Sequence, residues 1–233
     1  MPNVERHSAA GVDRIAFEAS ALIMAGWTGR DRAAVDHHIA ELAALGVPGP
    51  MRIPTFYRLD PALLAGPARE IQVLGEDTSG EVEAVLVSLA DGLWVGLGSD
   101  RTDRAMEAHG VALAKQLCRK PMAPGLWRFD EVIAHWDQLV LRAHIVEGGE
   151  RRLYMESALA AVRRPEDLFA AYSAELGRNG DPLLPVGTVM FCGAIGALGG
   201  IRPSPRFDME LEDPVLGRTL RHAYDVRALR IVM

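Results

Sequence analysis

Two glutamates separated by one valine are the first residues whose type and spacing could do chemistry. In "SGEVEAVLV", Glu81 and Glu83 flank Val82. Because successive side chains of a strand point to opposite faces, both carboxylates would leave the same face. If that face is buried, the two negative charges need a cation or a shared proton. A solvated strand edge, on which this pattern is common, is the alternative interpretation.

A second acidic segment follows a glycine-rich strand pattern. In "GSDRTDRAME", Asp100 stands at the expected strand end, where a side chain can be aimed into a site. The segment is also typical of a turn that opens a charged helix. Together Glu81, Glu83 and Asp100 would offer an all-oxygen ligand set for a hard divalent cation, Mg²⁺ by default with Mn²⁺ able to substitute. Such an ion stabilises the enolate formed when a C–C bond of a 2-oxo acid or β-diketone breaks.

Two further segments could supply catalytic side chains. In "DHHIAEL", His38 and Glu41 are three residues apart, so on a helix the carboxylate can orient the imidazole as a base that activates water. His37 points about 100° away and is expected to be a bystander. The alternative for this segment is a solvated helix face with a local ion pair. Lys115 lies in the apolar run "VALAKQLC", where its ammonium group either reaches the surface or is held by negative charge.

The elements that must position these residues are mostly short strands. Apolar segments punctuated by Gly and Pro predict strands at 81–89, 92–99, 139–147, 188–195, 206–213 and 228–233. Helical periodicity predicts helices at 29–46 and 164–180, each closed by a glycine. We therefore expect a mainly β fold with a few helices (α+β), with a mixed β-sandwich roll or barrel-like core in which Glu81, Glu83 and Asp100 converge.

The predicted domain organisation is one continuous unit, because no linker of typical composition divides the chain. A soft boundary near residue 70 is expected between an N-terminal strand and helical lid region, 1–70, and a β-roll metal-binding catalytic body, 71–233. The helix that carries His38 precedes a Pro-rich loop and could close over a bound substrate.

Composition excludes several classes of protein. The chain has 233 residues, of which 49% are hydrophobic, and a net charge of −6 without a basic run, so we expect neither disorder nor a nucleic-acid partner. Cys118 and Cys192 match neither a disulfide framework nor a zinc site, which favours a cytoplasmic protein. The uncharged run 182–201 contains five glycines and two prolines, which predicts strand and loop rather than a membrane helix.

The order of these segments resembles the fumarylacetoacetate hydrolase superfamily from residue 31 onward. The shared features are a His-x-x-Glu helix, a Glu-x-Glu strand, and "SDRTDRAME", which is similar to the "NDxxxRDxQ" segment of the superfamily. In that segment Asp100 matches the Asp, Arg104 the Arg, and Glu107 lies near the Gln. The segment "KQLC" places Lys115 on the lysine of a Lys-Ser-Phe-type segment, and "VGTVMFCGAIGALGG" resembles "GDVILTGTP".

The resemblance implies a Mg²⁺-dependent hydrolase that cleaves a C–C bond in a β-diketone or acylpyruvate-like 2-oxo acid, and a homodimer formed through the β body. It also implies roles for these residues: metal ligands Glu81, Glu83 and Asp100; catalytic His38, Glu41 and Lys115; and substrate-binding Arg58, Arg104, Gly193 and Ala194. Two alternatives stay open. One is a decarboxylase, hydratase or isomerase of a 2-oxo acid on the same metal site, and the other is a non-catalytic protein that binds a small carboxylic acid.

The chain departs from the superfamily pattern in three places, which suggests a shortened branch. Glu83 and Asp100 are only 17 positions apart (100 − 83), so a helix and its strand approach are expected to be missing. Ala194 stands where a threonine is usual, which affects one expected contact to the substrate carboxylate. Arg58 stands where a lysine is common, and its planar guanidinium can bind a carboxylate through two hydrogen bonds.

Overall fold

Strands dominate the structure, a computed structural model that describes residues 3–44, 49–178 and 184–232 without the side chains of His38, Glu41, Leu42 and Ala44. Strands account for 47% of it and helices for 21%, which confirms the predicted mainly β class. The strands are β1 (Asn3–Ser8), β2 (Gly11–Ala16), β3 (Ala21–Gly26), β4 (Thr55–Leu59), β5 (Leu64–Ala65), β6 (Glu70–Leu74), β7 (Thr78–Ser79), β8 (Val82–Leu89), β9 (Gly92–Ser99), β10 (Thr102–Asp103), β11 (Lys120–Pro121), β12 (Gly125–Arg128), β13 (Val140–Glu147), β14 (Glu150–Ala158), β15 (Thr188–Phe191), β16 (Arg206–Asp213) and β17 (Arg218–Leu229). The helices are α1 (Arg32–Ala44), α2 (Val111–Gln116), α3 (Phe129–Val132) and α4 (Pro165–Glu175).

Two large sheets pack face to face and enclose the main hydrophobic core. One has eight strands in the order β2-β1-β12-β9-β8-β15-β3-β4, and the other has five in the order β14-β13-β16-β17-β6. Apolar residues of β3, β8 and β9 meet those of β13, β16 and β17 between the sheets. Within the described part of the chain no sheet closes into a barrel. The predicted sandwich-like roll is therefore confirmed in its open form.

Strands from both sides of the expected boundary near residue 70 share the larger sheet. In this sheet β1 pairs with β12 and β3 pairs with β15, and β2 and β4 form its two edges. A second apolar cluster, which includes Met24, Val85, Val87 and Phe191, covers the other face of the same sheet. Both faces of β8 are thus buried. A carboxylate on that strand is therefore removed from water, which costs free energy unless the group is hydrogen-bonded, protonated or paired with a cation.

The two predicted helices form where the sequence indicated them. At the start of α1, the Asp31 carboxylate accepts hydrogen bonds from the backbone N–H groups of Ala33 (2.9 Å) and Ala34 (3.2 Å), as an N-cap does. α4 starts with Pro165, and Gly177 follows its end at a positive φ of 69°. Among the described residues, no helix combines the length and the apolar composition that crossing a bilayer requires.

Some strand predictions were incomplete. The strand predicted at 228–233 corresponds to β17, which ends at Leu229. β17 begins at Arg218, ten positions before the predicted start. The charged segment of β14, "ERRLYMESA", was not predicted as a strand. It lies at the edge of the five-stranded sheet, where one side faces solvent and polar side chains are tolerated.

Candidate functional site

Three acidic residues leave the same face of the larger sheet. Glu81 comes just before β8 and Asp100 just after β9, and they face each other, since Glu81 N donates to Asp100 O at 3.1 Å and Asp100 N donates to Glu81 O at 2.9 Å. Glu83 is two residues beyond Glu81, so its side chain points to the same side. Ala84 points to the other side, into the core between the two sheets. The backbone thus brings the three residues together, although Glu83 and Asp100 are distant in sequence.

Glu83 is buried against the loop that follows β15. The side chain of Glu83 is 2% exposed, and its Oε2 accepts a hydrogen bond of 2.7 Å from Gly193 N. Gly193 has a φ of +99°, and a Cβ at this position would lie 1.8 Å from Thr28 Oγ1. Only glycine therefore fits here. The next residue, Ala194, is half-buried against the main core.

Asp100 is held by two lysines from different elements. Lys115 of α2 donates a hydrogen bond to Asp100 Oδ2, and Lys120 Nζ of β11 lies 2.9 Å from Asp100 Oδ1. Lys120 also donates to the carbonyl oxygen of Arg101. Each oxygen of this carboxylate therefore lies against an ammonium group, although the contact between Lys120 and Oδ1 lacks hydrogen-bond geometry. Lys115, the lysine of the apolar run, is held by negative charge rather than reaching the surface.

The two buried carboxylates have opposite protonation tendencies. Burial raises the pKa of Glu83 well above its usual range, and the negative charge of Asp100 raises it further. Burial also acts to raise the pKa of Asp100, but the charges of Lys115 and Lys120 outweigh it and hold that pKa well below its usual range. For Lys115, burial acts to lower the pKa, but Asp100 and Glu81 raise it above its usual range. A carboxyl group whose pKa is raised thus lies beside a carboxylate whose pKa is lowered and an ammonium group whose pKa is raised, a separation of pKa values that is typical of acid–base sites.

Arg104 joins two further acidic residues beside this cluster. Its Nη2 lies 3.0 Å from Glu81 Oε2, its Nη1 donates to Glu107 at 2.8 Å, and its Nε donates to Ser79 Oγ at 2.6 Å. Burial raises the pKa of Glu107, an effect that Arg104 partly offsets. The guanidinium group is therefore engaged by the protein itself. A substrate carboxylate would bind to Arg104 only in competition with Glu81 or Glu107.

Sequence reasoning missed two aromatic residues, Tyr57, which lies beside Lys115, and Trp27, which binds Tyr57. Lys115 Nζ is 5.9 Å from the ring centre of Tyr57 on β4, and the Trp27 indole N–H donates to Tyr57 Oη at 3.3 Å. Trp27 has a φ of +61°, which is unusual for a bulky residue and is found most often at functional sites. Arg58 is exposed and, as the next residue of the strand, points away from Tyr57. The structure therefore does not place Arg58 beside Lys115.

The predicted base and its orienting carboxylate are only partly covered by the structure. His38 and Glu41 belong to α1, but their side chains lie outside the described residues, so their roles stay predictions. His37 is exposed.

The predicted divalent ion does not fit the side chains as they are arranged. Carboxylate oxygens are suitable ligands for Mg²⁺, but both oxygens of Asp100 face ammonium groups and Glu81 is paired with Arg104. Among the residues that the structure describes, no three His, Cys, Asp or Glu side chains are placed to hold a metal ion. A cation at Asp100 would first have to displace a lysine.

Comparison with known proteins identifies a family and a fold. The profile of the protein family of unknown function DUF2848 matches residues 25–224. No protein with a curated function matches the sequence.

Several solved structures are similar over most of the chain. A 2-keto-3-deoxyarabinonate dehydratase is 15% identical, with a TM-score of 0.64 over 95% of this chain and 78% of that one. A 5-carboxymethyl-2-hydroxymuconate delta-isomerase from Mycobacterium smegmatis is 18% identical, with a TM-score of 0.59 over 96% and 82%. A provisional fumarylpyruvate hydrolase from Burkholderia cenocepacia is 18% identical, with a TM-score of 0.63 over 97% and 91%. These proteins are members of the fumarylacetoacetate hydrolase superfamily, so the likeness confirms the predicted fold. The chain has the fold of this superfamily and belongs to the family DUF2848.

Proposed function

We propose that the chain is an enzyme that converts a small 2-oxo carboxylic acid through an enolate, and that it hydrolyses a C–C bond in a β-diketone or acylpyruvate-like substrate. The observation that carries this proposal is the Asp100–Lys115 ion pair beside the buried acid Glu83. The names of the three similar proteins support it, because each names a carboxylic acid with a keto or hydroxy group at carbon 2.

The residues of the site suit the formation of an enolate. When the C–C bond of an acylpyruvate breaks after water has added to the distal carbonyl, the electron pair stays on the fragment that becomes pyruvate. The ammonium group of Lys115, which is 8% exposed, stabilises the negative charge of the resulting enolate, and Asp100 holds Lys115 in place. Protonated Glu83 supplies the proton that carbon 3 of pyruvate takes up. His38, oriented by Glu41, is the predicted base that activates the water.

The reaction type depends on whether water takes part. A decarboxylase or isomerase would form the same enolate without water, so it would need Lys115 and Glu83 but not His38. A non-catalytic binding protein would show no turnover, with or without these three residues. Mg²⁺ or Mn²⁺ as cofactor, the homodimer and the cytoplasmic location stay predictions.

The test is a substrate panel with matched variants. Purified protein is incubated with acylpyruvates, β-diketones and oxaloacetate, the loss of enol absorbance is followed, and the products are identified by NMR. We expect an acylpyruvate to give pyruvate and a carboxylic acid. Lys115→Met is expected to lower kcat by about 10²–10³-fold, the effect of removing one group that stabilises an oxyanion. Arg119→Met, which removes an exposed positive charge nearby, is the control and is expected to keep full activity.

The variant His38→Ala separates the alternatives. Loss of hydrolysis supports the proposed reaction, whereas retained turnover favours a decarboxylase or isomerase. If Lys115→Met converts a panel substrate as fast as the wild type does, the proposed role of Lys115 is wrong. If the wild type converts none of the panel substrates, the proposed substrate class is wrong.

A further inference from the structure

We propose that Lys120 is a built-in counter-cation of Asp100, so that the site is assembled without a divalent metal ion at this carboxylate. The inference concerns the site of the proposed function but does not depend on which reaction occurs there. Four observations carry it: the ligands of the ammonium group, the burial of the side chain, the balance of charges, and the choice of lysine.

The ammonium group of Lys120 lies between oxygen atoms of the kind that bind hard cations. It is 2.9 Å from the carboxylate oxygen Asp100 Oδ1 and donates to the backbone carbonyl oxygen of Arg101. Carboxylate and carbonyl oxygens are the usual protein ligands of Mg²⁺ and Ca²⁺. In this chain Asp100 Oδ1 and the carbonyl oxygen of Arg101 both contact the ammonium group of Lys120, which is covalently part of the protein.

Lys120 is fixed in this position by its surroundings. The residue is 0% exposed, and its backbone belongs to β11, which pairs in parallel with β5 in the register Lys120–Leu64. A lysine on the surface could move aside when a metal ion arrives. A metal ion at Asp100 would force the buried Lys120 either to release its proton or to keep its charge without a partner, and either change costs free energy.

The charges around Asp100 are balanced without a metal ion. Three acidic side chains of the site, Glu81, Asp100 and Glu107, are paired with three basic ones, Arg104, Lys115 and Lys120. Glu83, the fourth acid, accepts its hydrogen bond from a backbone N–H. A divalent ion would add two positive charges next to two ammonium groups, and this repulsion opposes its binding at short range.

The residue type at these two positions is specific. The chain has 25 basic residues, of which only Lys115 and Lys120 are lysines, and both contact the same aspartate. Arginine serves at all the other positions. An ammonium group is a compact point charge, whereas the planar guanidinium group is larger and binds through its fork. We attribute the choice of lysine at position 120 to its compact ammonium group, which contacts both Asp100 Oδ1 and the carbonyl oxygen of Arg101.

The test is a titration of the full chain with Mn²⁺ and Mg²⁺, read out by calorimetry, Mn²⁺ electron paramagnetic resonance and melting temperature. We expect the wild type to show no binding at Asp100 up to roughly millimolar ion and no thermal stabilisation. In Lys120→Ala, which frees the two oxygens and the space between them, we expect a gain of at least about tenfold in Mn²⁺ affinity. The gain should disappear in the double variant Asp100→Asn/Lys120→Ala. Arg119→Ala, which removes an adjacent but exposed positive charge, is the matched control and should gain nothing.

Two results would overturn the proposal. One is binding of Mn²⁺ or Mg²⁺ by the wild type that Asp100→Asn abolishes, and the other is a folded Lys120→Ala variant that gains no affinity. If Lys120→Ala does not fold, the wild-type titration alone decides, since binding at Asp100 contradicts the proposal and its absence supports it. These readouts do not involve turnover, so they are independent of whether the proposed reaction is found.

Discussion

Replacing Glu83 with glutamine is expected to stabilise the protein at neutral pH and to change how its stability depends on pH. Glutamine keeps the size of the side chain and an oxygen that can accept the hydrogen bond from Gly193 N. It removes the possibility of burying a negative charge. In the wild type, burial and the charge of Asp100 raise the pKa of Glu83 well above its usual range. At pH values between the unfolded and the folded pKa, the folded protein therefore holds a proton that the unfolded chain has released.

The sign and size of the effect follow from this difference in proton binding. A carboxyl group whose pKa is raised in the folded state contributes most to stability below its unfolded pKa, which is about 4.3 for a glutamate. Its contribution falls as pH rises towards the folded pKa, by about 1.4 kcal/mol per pH unit. For a protein of this length, about 1 kcal/mol corresponds to roughly 2–4 °C in Tm. The wild type should therefore lose roughly 3–6 °C relative to Glu83→Gln for each pH unit in this window.

The assay is thermal denaturation of wild type and Glu83→Gln from about pH 5 to about pH 8 in a buffer with a metal chelator. Glu76→Gln changes an exposed glutamate and is the control, whose Tm should follow the wild type at every pH. A difference in Tm between Glu83→Gln and wild type that stays constant with pH would refute the reasoning. We also expect the more stable variant to be less active, because the proton of Glu83 serves the proposed reaction.

Two further predictions concern residues that shape the site. Gly193→Ala should destabilise the protein by at least about 1–3 kcal/mol, because φ is positive and the new Cβ would contact Thr28. Gly196→Ala, where a Cβ meets nothing within 4 Å, should change the free energy of unfolding by less than about 0.5 kcal/mol, as chemical denaturation can measure. Arg101→Lys should lower it by about 1.5–3 kcal/mol, since two hydrogen bonds of 2.9 Å from the buried guanidinium to Thr78 would be lost. An unchanged denaturation midpoint for either Gly193→Ala or Arg101→Lys would contradict the corresponding explanation.

The sequence was sufficient to predict that Glu81 and Glu83 share a face of the sheet, but not which face. They were expected inside the core, whereas Ala84 points into the core between the two sheets and Glu83 lies on the opposite face. Alternation predicts that Glu81, just before β8, and Glu83 on β8 point to one side, and glycine punctuation indicates the strand that ends just before Asp100. Both inferences depend on local periodicity, which a single sequence displays. The two helices were predicted for the same reason, since their apolar residues recur at helical spacing and their ends carry capping residues.

The partners of these acids could not be predicted, because they depend on contacts between distant elements. Lys120 reaches Asp100 only because β11 pairs with β5, and two-residue strands carry no periodic signal. For Lys115, the sequence left open whether the ammonium group reaches the surface or is held by negative charge. The second is observed, because α2 places Lys115 within hydrogen-bond distance of Asp100. The count of lysines was a signal that the sequence did contain. Two lysines among 25 basic residues, five positions apart, point to a task that arginine does not perform.

The burial of both lysines makes the folded protein almost unreactive towards reagents that acylate lysine amines. Lys120 is 0% exposed, so such a reagent reaches it only when the structure opens locally, whereas Lys115 is 8% exposed and keeps a small accessible area. When opening and closing are fast compared with the chemical step, the rate of acylation at Lys120 measures the free energy of that opening. Mass spectrometry of the two modified peptides, which cover "VALAK" and "QLCRK", would then report how often β11 leaves Asp100 in solution and how accessible Lys115 is. A bound substrate that contacts Lys115 should slow acylation there more than at Lys120.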